Sequence, residues 1–284
     1  MAARIVQAKD GRLLQTLGTA PASGSLYKEQ PTAESLERLS EALTTLCPQT
    51  HREWVPCHIA LPDPVVSLNV LELETLPATR VEREALARWH LAKLWPEGAD
   101  LSCATQGLEK QDGKSLLLTT AMERRWQDVV SQACRQAGLV PTSMRAAMTY
   151  RFNRHHDLLT TEGSAGAMLA VDAASWSLLL WDREGRPRYF RARWRERNAD
   201  AADAIATEAE RIIRAYVHGG PGRQVKAVYV EGEGQDGEAA ASALDARMQI
   251  QCVRLSSLAG LSVEEGADPL RPHAASAIAA ALGG

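Results

Sequence analysis

The sequence predicts an α/β protein built from two related lobes, the first of them interrupted by an insertion. Two observations carry this. Short alternating apolar runs and amphipathic helical stretches follow one another between Gly, Pro and Asp turns along the whole chain. The order strand, strand, helix, strand, helix runs cleanly through the second half and with extra elements through the first, although no internal sequence repeat is visible. At 284 residues the chain is long enough for one large domain or two modest ones.

Ala3 to Leu17 alternates around Lys9, Asp10 and Gly11 and predicts a β-hairpin. Pro21 to Gln30 is a loop of small residues. A helix follows from about Thr32 to Leu46, with Leu36, Leu39, Leu43 and Leu46 on one face and Glu34, Glu37 and Glu41 on the other. His58 to Leu61 is a short strand that Pro62-Asp63-Pro64 cuts off, because proline restricts the residue before it as well as its own position. Val65 to Leu73 alternates as a strand, with Val66, Leu68 and Val70 on one side. Val81 to Trp95 is an amphipathic helix closed by Pro96 and Gly98. Leu101 to Thr120 is a hairpin around Gln111-Asp112-Gly113, and Met122 to Ala137 is a helix stopped by Gly138 and Pro141.

In the second half, Ala167 to Trp181 predicts a long strand or strand pair, and Asp182 to Gly185 a turn. Tyr189 to Trp194 is strand, Ala199 to Val217 helix, and His218 to Gly222 loop. Val225 to Val230 is strand, Glu238 to Met248 helix, Ile250 to Leu255 strand, and Ala274 to Leu282 a final alanine-rich helix.

Composition excludes several classes. Hydrophobic residues are 45% and charged residues 24%, as in ordinary folded domains rather than disordered, collagen-like or disulfide-dense chains. With 32 basic against 35 acidic residues, no global field draws in nucleic acid or an acidic membrane. Cys47, Cys57, Cys103, Cys134 and Cys252 are scattered, odd in number and without a CxxC pair, which fits a reducing compartment. The most apolar stretch, Gly163 to Trp181, is broken by Asp172 and followed by Asp182 and Arg183, so no membrane span is expected. Arg4, Lys9, Asp10 and Arg12 break any apolar core near the amino terminus, against a signal peptide.

Motifs that carry chemistry are sparse. His155 and His156 are adjacent, so neither helix nor strand turns them to one metal, and a solvated pair near a domain junction is expected. There is no GxSxG elbow and no Walker A sequence. Gly219-Gly220-Pro221-Gly222 is a loop after a helix. Gly232-Glu233-Gly234 lies between strand and helix, where free backbone N–H groups can hold a phosphate, but Glu231 and Glu233 repel an anion there. The main charge anomaly is Arg186, Arg188, Arg191, Arg193, Arg195 and Arg197. Strand spacing lines Arg191, Arg193 and Arg195 along one face, with Phe190 and Trp194 opposite. Like charges so placed need neutralising, either by Glu231, Glu233, Asp236 and Glu238 or by an external acidic partner. Nucleic acid is disfavoured as that partner, because the chain is acidic overall and one tryptophan alone interleaves.

Taken in order, the segments resemble a known family. "IALPDPVVSLNVLELETLP" and the helix after it, "LTTAMERRWQDVVSQACRQAGLVPTSM", "MLAVDAASWSLLLWDREGRPRYFR", "VKAVYVEGEGQDGEAAASALDARMQIQCVRL" and "HAASAIAAALGG" resemble, in sequence and spacing, the PilM and GspL group. These are actin-like cytoplasmic proteins of type IV pilus and type II secretion platforms, and MSHA-type pilus proteins belong with them. The resemblance covers the chain from about His58 onward. It implies an α/β, actin-like (RNase H-like) two-lobed fold with an inserted subdomain in the first lobe. The first lobe would span residues 1–162 with the insertion at about 58–138, the second 163–270, and residues 271–284 would return to the first.

The resemblance also marks departures. In nucleotide-binding members a first hairpin carries Asp-x-Gly, which "ARIVQAKDGRLLQTL" lacks, so the chain is expected to start at about the second strand of that unit. The second phosphate turn keeps Asp172 but has Ala174 for glycine, and Trp176 is expected to intrude into the turn. The adenosine turn keeps Gly232 and Gly234 with Glu233 between them. Asp172, Gly232 and Gly234 are therefore read as a vestigial cofactor site, with no catalytic residue, no metal site, and ATP with magnesium disfavoured.

The function implied is a non-catalytic cytoplasmic scaffold, peripheral on the inner membrane through its partners. It would dock a PilN-like bitopic membrane protein and, as a further contact, the secretion ATPase; self-pairing as a homodimer is left open. Val66, Leu68, Val70, Trp89 and Trp95 are the expected partner-binding residues, with Arg191, Arg193 and Arg195 as a second docking face for an acidic partner. The competing reading is a residual ATP binder or slow ATPase.

Overall fold

A computed structural model describes residues 2–8, 11–18, 31–47, 54–95, 98–111, 113–161, 163–195, 201–220, 223–232, 234–248, 250–256, 261–263 and 274–282. Its contacts divide the chain into two compact units, one of residues 1–18 with 145–284 and one of residues 19–144.

The larger unit is organised by a sheet of five strands: β8 (Ala165–Val171), β9 (Ser175–Trp181), β10 (Pro187–Trp194), β11 (Val225–Gly232) and β12 (Gln251–Arg254), in the order β10-β9-β8-β11-β12. The β8, β9 and β10 strands form an antiparallel meander, while β11 runs parallel to both β8 and β12. Every residue of β8 and β9 is buried, which is why "AGAMLAV" and "SWSLLLW" read as nearly continuous small and apolar runs. On one face Ala167, Leu169, Val171, Trp176, Leu178, Leu180, Val228 and Val230 pack beneath α5 (Ala201–His218) and α6 (Gly234–Met248). On the other, Met168, Ala170, Leu179 and Trp181 pack with Met148, Phe152 and Leu159 of α4 (Ala147–Thr160).

The same unit holds a second sheet. β1 (Ala2–Ala8) and β2 (Gly11–Gly18) form the expected hairpin, antiparallel with a register shift at Arg4/Ile5, and β13 (Leu261–Val263) adds parallel to β2. α7 (Ala274–Ala281) packs on α4 and β1; its small residues allow that close seating.

In the other unit β4 (Ser67–Leu73), β6 (Lys114–Glu123) and β5 (Leu101–Gln111) form an antiparallel sheet in that order. α2 (Arg80–Leu91) lies on it through Ala87 and Leu91, which join Leu101 and Ala121 in a small core. α3 (Arg124–Gln136) buries Trp126, Val130, Ala133 and Cys134, a helical stripe, and packs against α1 (Ala33–Leu46). β3 (Val55–Leu61) and β7 (Leu139–Ala146) make a two-stranded sheet. Capping boxes at Thr32/Ser35 and Thr79/Glu82 start α1 and α2.

Several boundaries differ from the sequence reading. Val65 belongs to a short 3-10 turn, Asp63–Val65, rather than to the strand. β6 runs on to Glu123, so Met122 is strand and not the start of the helix. α6 starts at Gly234, four residues before Glu238. The elements β7, α4 and β13 were not anticipated, and the loop predicted at Pro21 to Gln30 lies outside the described residues. Among the described residues no helix is long and apolar enough to cross a membrane.

The turn from β9 to β10 is fixed by Asp182, whose carboxylate accepts the backbone N–H groups of Glu184 and Arg186 (3.0 Å each) and Arg186 Nε (3.1 Å). Burial nevertheless pushes this carboxyl above its ordinary range, against those donors. The folded state therefore holds the proton more tightly than the unfolded chain. The associated stability is full below about pH 3.9, the unfolded value, and is lost as pH rises through the raised folded value. Asp182→Asn keeps an oxygen acceptor and cannot ionise. Urea unfolding from pH 3.5 to 6 should show the native protein losing stability relative to Asp182→Asn as pH rises.

Candidate functional site

The carboxyl ends of β8 and β11 lie side by side, with Glu231 opposite Ala170 and Gly232 opposite Val171. Ligands of open α/β sheets collect outside such strand ends. Asp172 follows β8 directly, and its backbone N–H donates to the Ser175 carbonyl at 2.8 Å, closing the turn into β9.

Arg151, from α4, holds both oxygens of the Asp172 carboxylate. Its Nη1 donates to Oδ2 at 3.0 Å and its Nη2 to Oδ1. Nε of the same guanidinium lies 3.2 Å from Glu231 Oε2. One turn further along α4, His155 places Nε2 3.7 Å from Glu231 Oε1. The side chains of Arg151 and Glu231 are 1% and 3% exposed. A planar guanidinium suits this role because its fork matches one carboxylate while a third edge remains for another.

Arg195, just past β10, closes the arrangement from a second side. Its backbone N–H donates to the Ala174 carbonyl (2.8 Å), its Nη1 to the Asp172 carbonyl (2.7 Å), and its Nη2 to Asp236 Oδ2 (2.8 Å) in the first turn of α6. Leaving aside the imidazole of His155, two guanidinium groups meet three carboxylates, so the strand-end cluster is formally negative.

Gly232 has a packing reason to be glycine. A Cβ built there would lie 2.3 Å from the Gly237 Cα, and one on Gly237 would lie 2.3 Å from the Gly232 Cα. The end of β11 and the first turns of α6 therefore touch backbone to backbone. Gly234 opens that helix, and Glu233 lies outside the described residues.

Other expected site residues fall as follows. Trp176 is not in the turn. It is the second residue of β9, paired with Val171 and buried in the core under α5 and α6, because strand alternation carries its side chain to that face. His155 is buried in the cluster rather than solvated, while His156 is half exposed and 3.6 Å from Asp157. Of the acids proposed to neutralise the arginine strand, Glu233 lies outside the described residues, and among Glu231, Asp236 and Glu238 it is Asp236 that pairs with one of its arginines, Arg195. Glu231 faces Arg151 and His155, and Glu238 pairs with Arg254. Arg191 and Arg193 instead meet Glu208 of α5. Arg186 and Arg188 face Asp182.

In the inserted region, Val66 and Leu68 are buried and Val70 is half-buried. Trp95 packs on the small core beside α2 and donates from Nε1 to Ser67 Oγ at 3.1 Å. Trp89 is 60% exposed, under the ammonium of Lys93, and Val81 and Leu94 are exposed nearby in sequence.

The sequence reading missed Arg151, His155 as a buried group, and Glu208. The signal for the first two was present. Met148, Phe152, His155 and Leu159 recur at helical spacing, and Arg151 sits one turn before His155.

No family model and no curated protein matches the chain. Solved structures do. A chain of the PilM-PilN type IV pilus biogenesis complex superposes with a TM-score of 0.75 at 19% identity, covering 99% of this chain and 94% of that one. A Bacteroides thetaiotaomicron protein with an actin-like ATPase fold and unknown function gives 0.50 at 9% identity, over 78% and 76% of the two chains. The fold is actin-like. The cytoplasmic domain of EpsL, an inner membrane component of the type II secretion system of Vibrio cholerae, gives 0.43 at 10% identity, over 81% and 71%. The fold expected from the PilM resemblance is thus the fold found.

Two outcomes follow from the geometry. Arg151→Met removes the cation shared by two carboxylates and should cost about 3–5 kcal/mol in urea unfolding, the range for breaking a buried pair from one side. Part should return in Arg151→Met with Glu231→Gln. Gly237→Ala should cost about 1–3 kcal/mol, because backbone must move to admit the methyl group.

Proposed function

We propose that this protein is a non-catalytic actin-like scaffold of a type IV pilus or type II secretion inner-membrane platform. The observation that carries this is the grip of Arg151 on Asp172. Asp172 stands where an actin-like ATPase would need a carboxylate to orient metal-bound water, and here both its oxygens are engaged by a guanidinium. The residues do not fit a magnesium nucleotide. Both oxygens of Asp172 are taken by Arg151, Ala174 carries a side chain where the phosphate turn wants glycine, and Gly232 is closed against Gly237. Phosphoryl transfer rests on positioning and charge stabilisation, and these groups supply neither to a phosphate.

On this reading the first lobe spans 1–162 with its insertion at 58–138, the second spans 163–270, and 271–284 returns to the first. The packing of α7 on α4 and β1 supports that return. The partner is a PilN-like bitopic membrane protein, as in the complex that the fold resembles, with the secretion ATPase as a further contact. Its cytoplasmic segment would meet the inserted subdomain around Val66, Leu68, Val70, Trp89 and Trp95. Trp89 is the exposed anchor, and the others shape the surface from within. The protein would sit on the cytoplasmic side, held at the inner membrane by that partner.

Calorimetry with magnesium ATP tests the first part. No saturable heat is expected. Micromolar binding that disappears in Asp172→Ala would instead make the protein a residual nucleotide binder. For the second part, the immobilised cytoplasmic segment of the organism's PilN-like protein should capture the chain, and Trp89→Ala should weaken capture by at least about tenfold.

A further inference from the structure

β10 ends the five-stranded sheet, and its outer edge has no strand partner among the described residues. An open edge presents backbone N–H and C=O groups ready to pair. Arg191 and Arg193 stand on one face of it, about 7 Å apart along the strand. Arg193 Nε lies 2.9 Å and Arg191 Nε 3.8 Å from Glu208 Oε1, and Arg211 Nη2 approaches the same oxygen at 3.9 Å. Three guanidinium groups converge on one carboxylate oxygen, with side chains 40%, 46% and 74% exposed. The positive charge beside this edge exceeds what Glu208 balances. Arg195 does not belong to it, being buried and bound to Asp172 and Asp236.

We propose that the β10 edge receives an extended acidic segment of a partner protein, added as a further strand with Asp or Glu at alternate positions. Main-chain hydrogen bonds to β10 would supply the seat. Acids two residues apart on the incoming strand share the pitch and the face of Arg191 and Arg193, and Arg211 adds to the positive charge they meet. A second copy of this chain is a poor occupant, because pairing β10 with β10 sets these arginines against their own copies. Charge on an edge strand blocks indiscriminate pairing. An acidic alternation turns the same charge into selection. The inference deepens the second docking face of the scaffold reading and rests on that reading only in requiring a protein partner; the inserted subdomain plays no part.

The test uses the full chain and fluorescence anisotropy with a labelled peptide that alternates Glu with Thr and Val. Binding that weakens with salt is expected. The same peptide methylated on alternate backbone nitrogens should lose at least about tenfold, as should the native peptide on Arg191→Glu with Arg193→Glu. Arg211→Glu alters an exposed helix position and should weaken binding several-fold without touching the sheet. Phosphatidylserine vesicles should not co-sediment with the protein. The proposal is overturned by absence of peptide binding, by equal binding of the methylated peptide, by binding unchanged in the variants, or by vesicle binding that Arg191→Glu with Arg193→Glu abolishes. If the PilN-like segment is still captured when the acidic peptide fails, the edge inference falls and the scaffold reading stands.

Discussion

Two carboxylates at the ends of neighbouring strands require a cation between them. Asp172 follows the last residue of β8 and Glu231 is the last but one of β11, and Arg151 supplies that charge while nearly excluded from water. The arrangement is cooperative in a simple sense. Arg151 can reach both acids only if α4 is seated on the sheet, and α4 is seated through Met148, Phe152 and Leu159 against Met168, Leu179 and Trp181. α7 in turn packs on α4. Apolar burial positions the guanidinium, and the guanidinium makes tolerable the acids that would otherwise repel at the end of the sheet.

Much of this fold was legible because buried strands and amphipathic helices leave strong periodic marks. The hairpin of β1 and β2, the strands β8 to β11 and the helices α1, α2, α3 and α5 lie close to where their patterns put them. The segment that matters most to the strand-end cluster was the least legible. In "AMTYRFNRHHDLLT" charged and aromatic residues interrupt the apolar stripe, and the adjacent histidines invite a reading as a polar junction. The stripe is complete only if His155 is counted as buried, and its buried ring lies 3.7 Å from Glu231 of β11. That contact spans 76 positions of sequence, so helical spacing can mark His155 as part of the stripe without naming the partner it meets.

Trp176 and the arginine strand show the complementary limit. Alternation correctly put Phe190 opposite Arg191 and Arg193, since Phe190 packs on the α4 side while those arginines meet α5. Alternation cannot say what covers a face. Glu208 went unnoticed because it lies one turn from both Ile205 and Ile212, at the flank of the apolar stripe, and helical spacing does not say which residues of the sheet it meets. Trp176 was read from its neighbours in the turn, yet one residue of strand register moves it into the main core.

A guanidinium fixed on a carboxylate serves a scaffold and hinders an engine. Electrostatic catalysis needs donors that are free to meet charge as it develops on the reacting group. The Nη donors of Arg151 are already directed at Asp172 and its charge lies beside Glu231, and withdrawing it would leave Glu231 buried and Asp172 without their shared cation. On the scaffold reading, an anion that drew Arg151 away from its acids would have to overcome that penalty before gaining contacts of its own. For docking the same rigidity is an advantage, because a surface held in one conformation loses little freedom when a partner arrives. On the scaffold reading, the interaction that closes the strand ends to a nucleotide also keeps in place the sheet whose outer strand, β10, offers an edge to a partner.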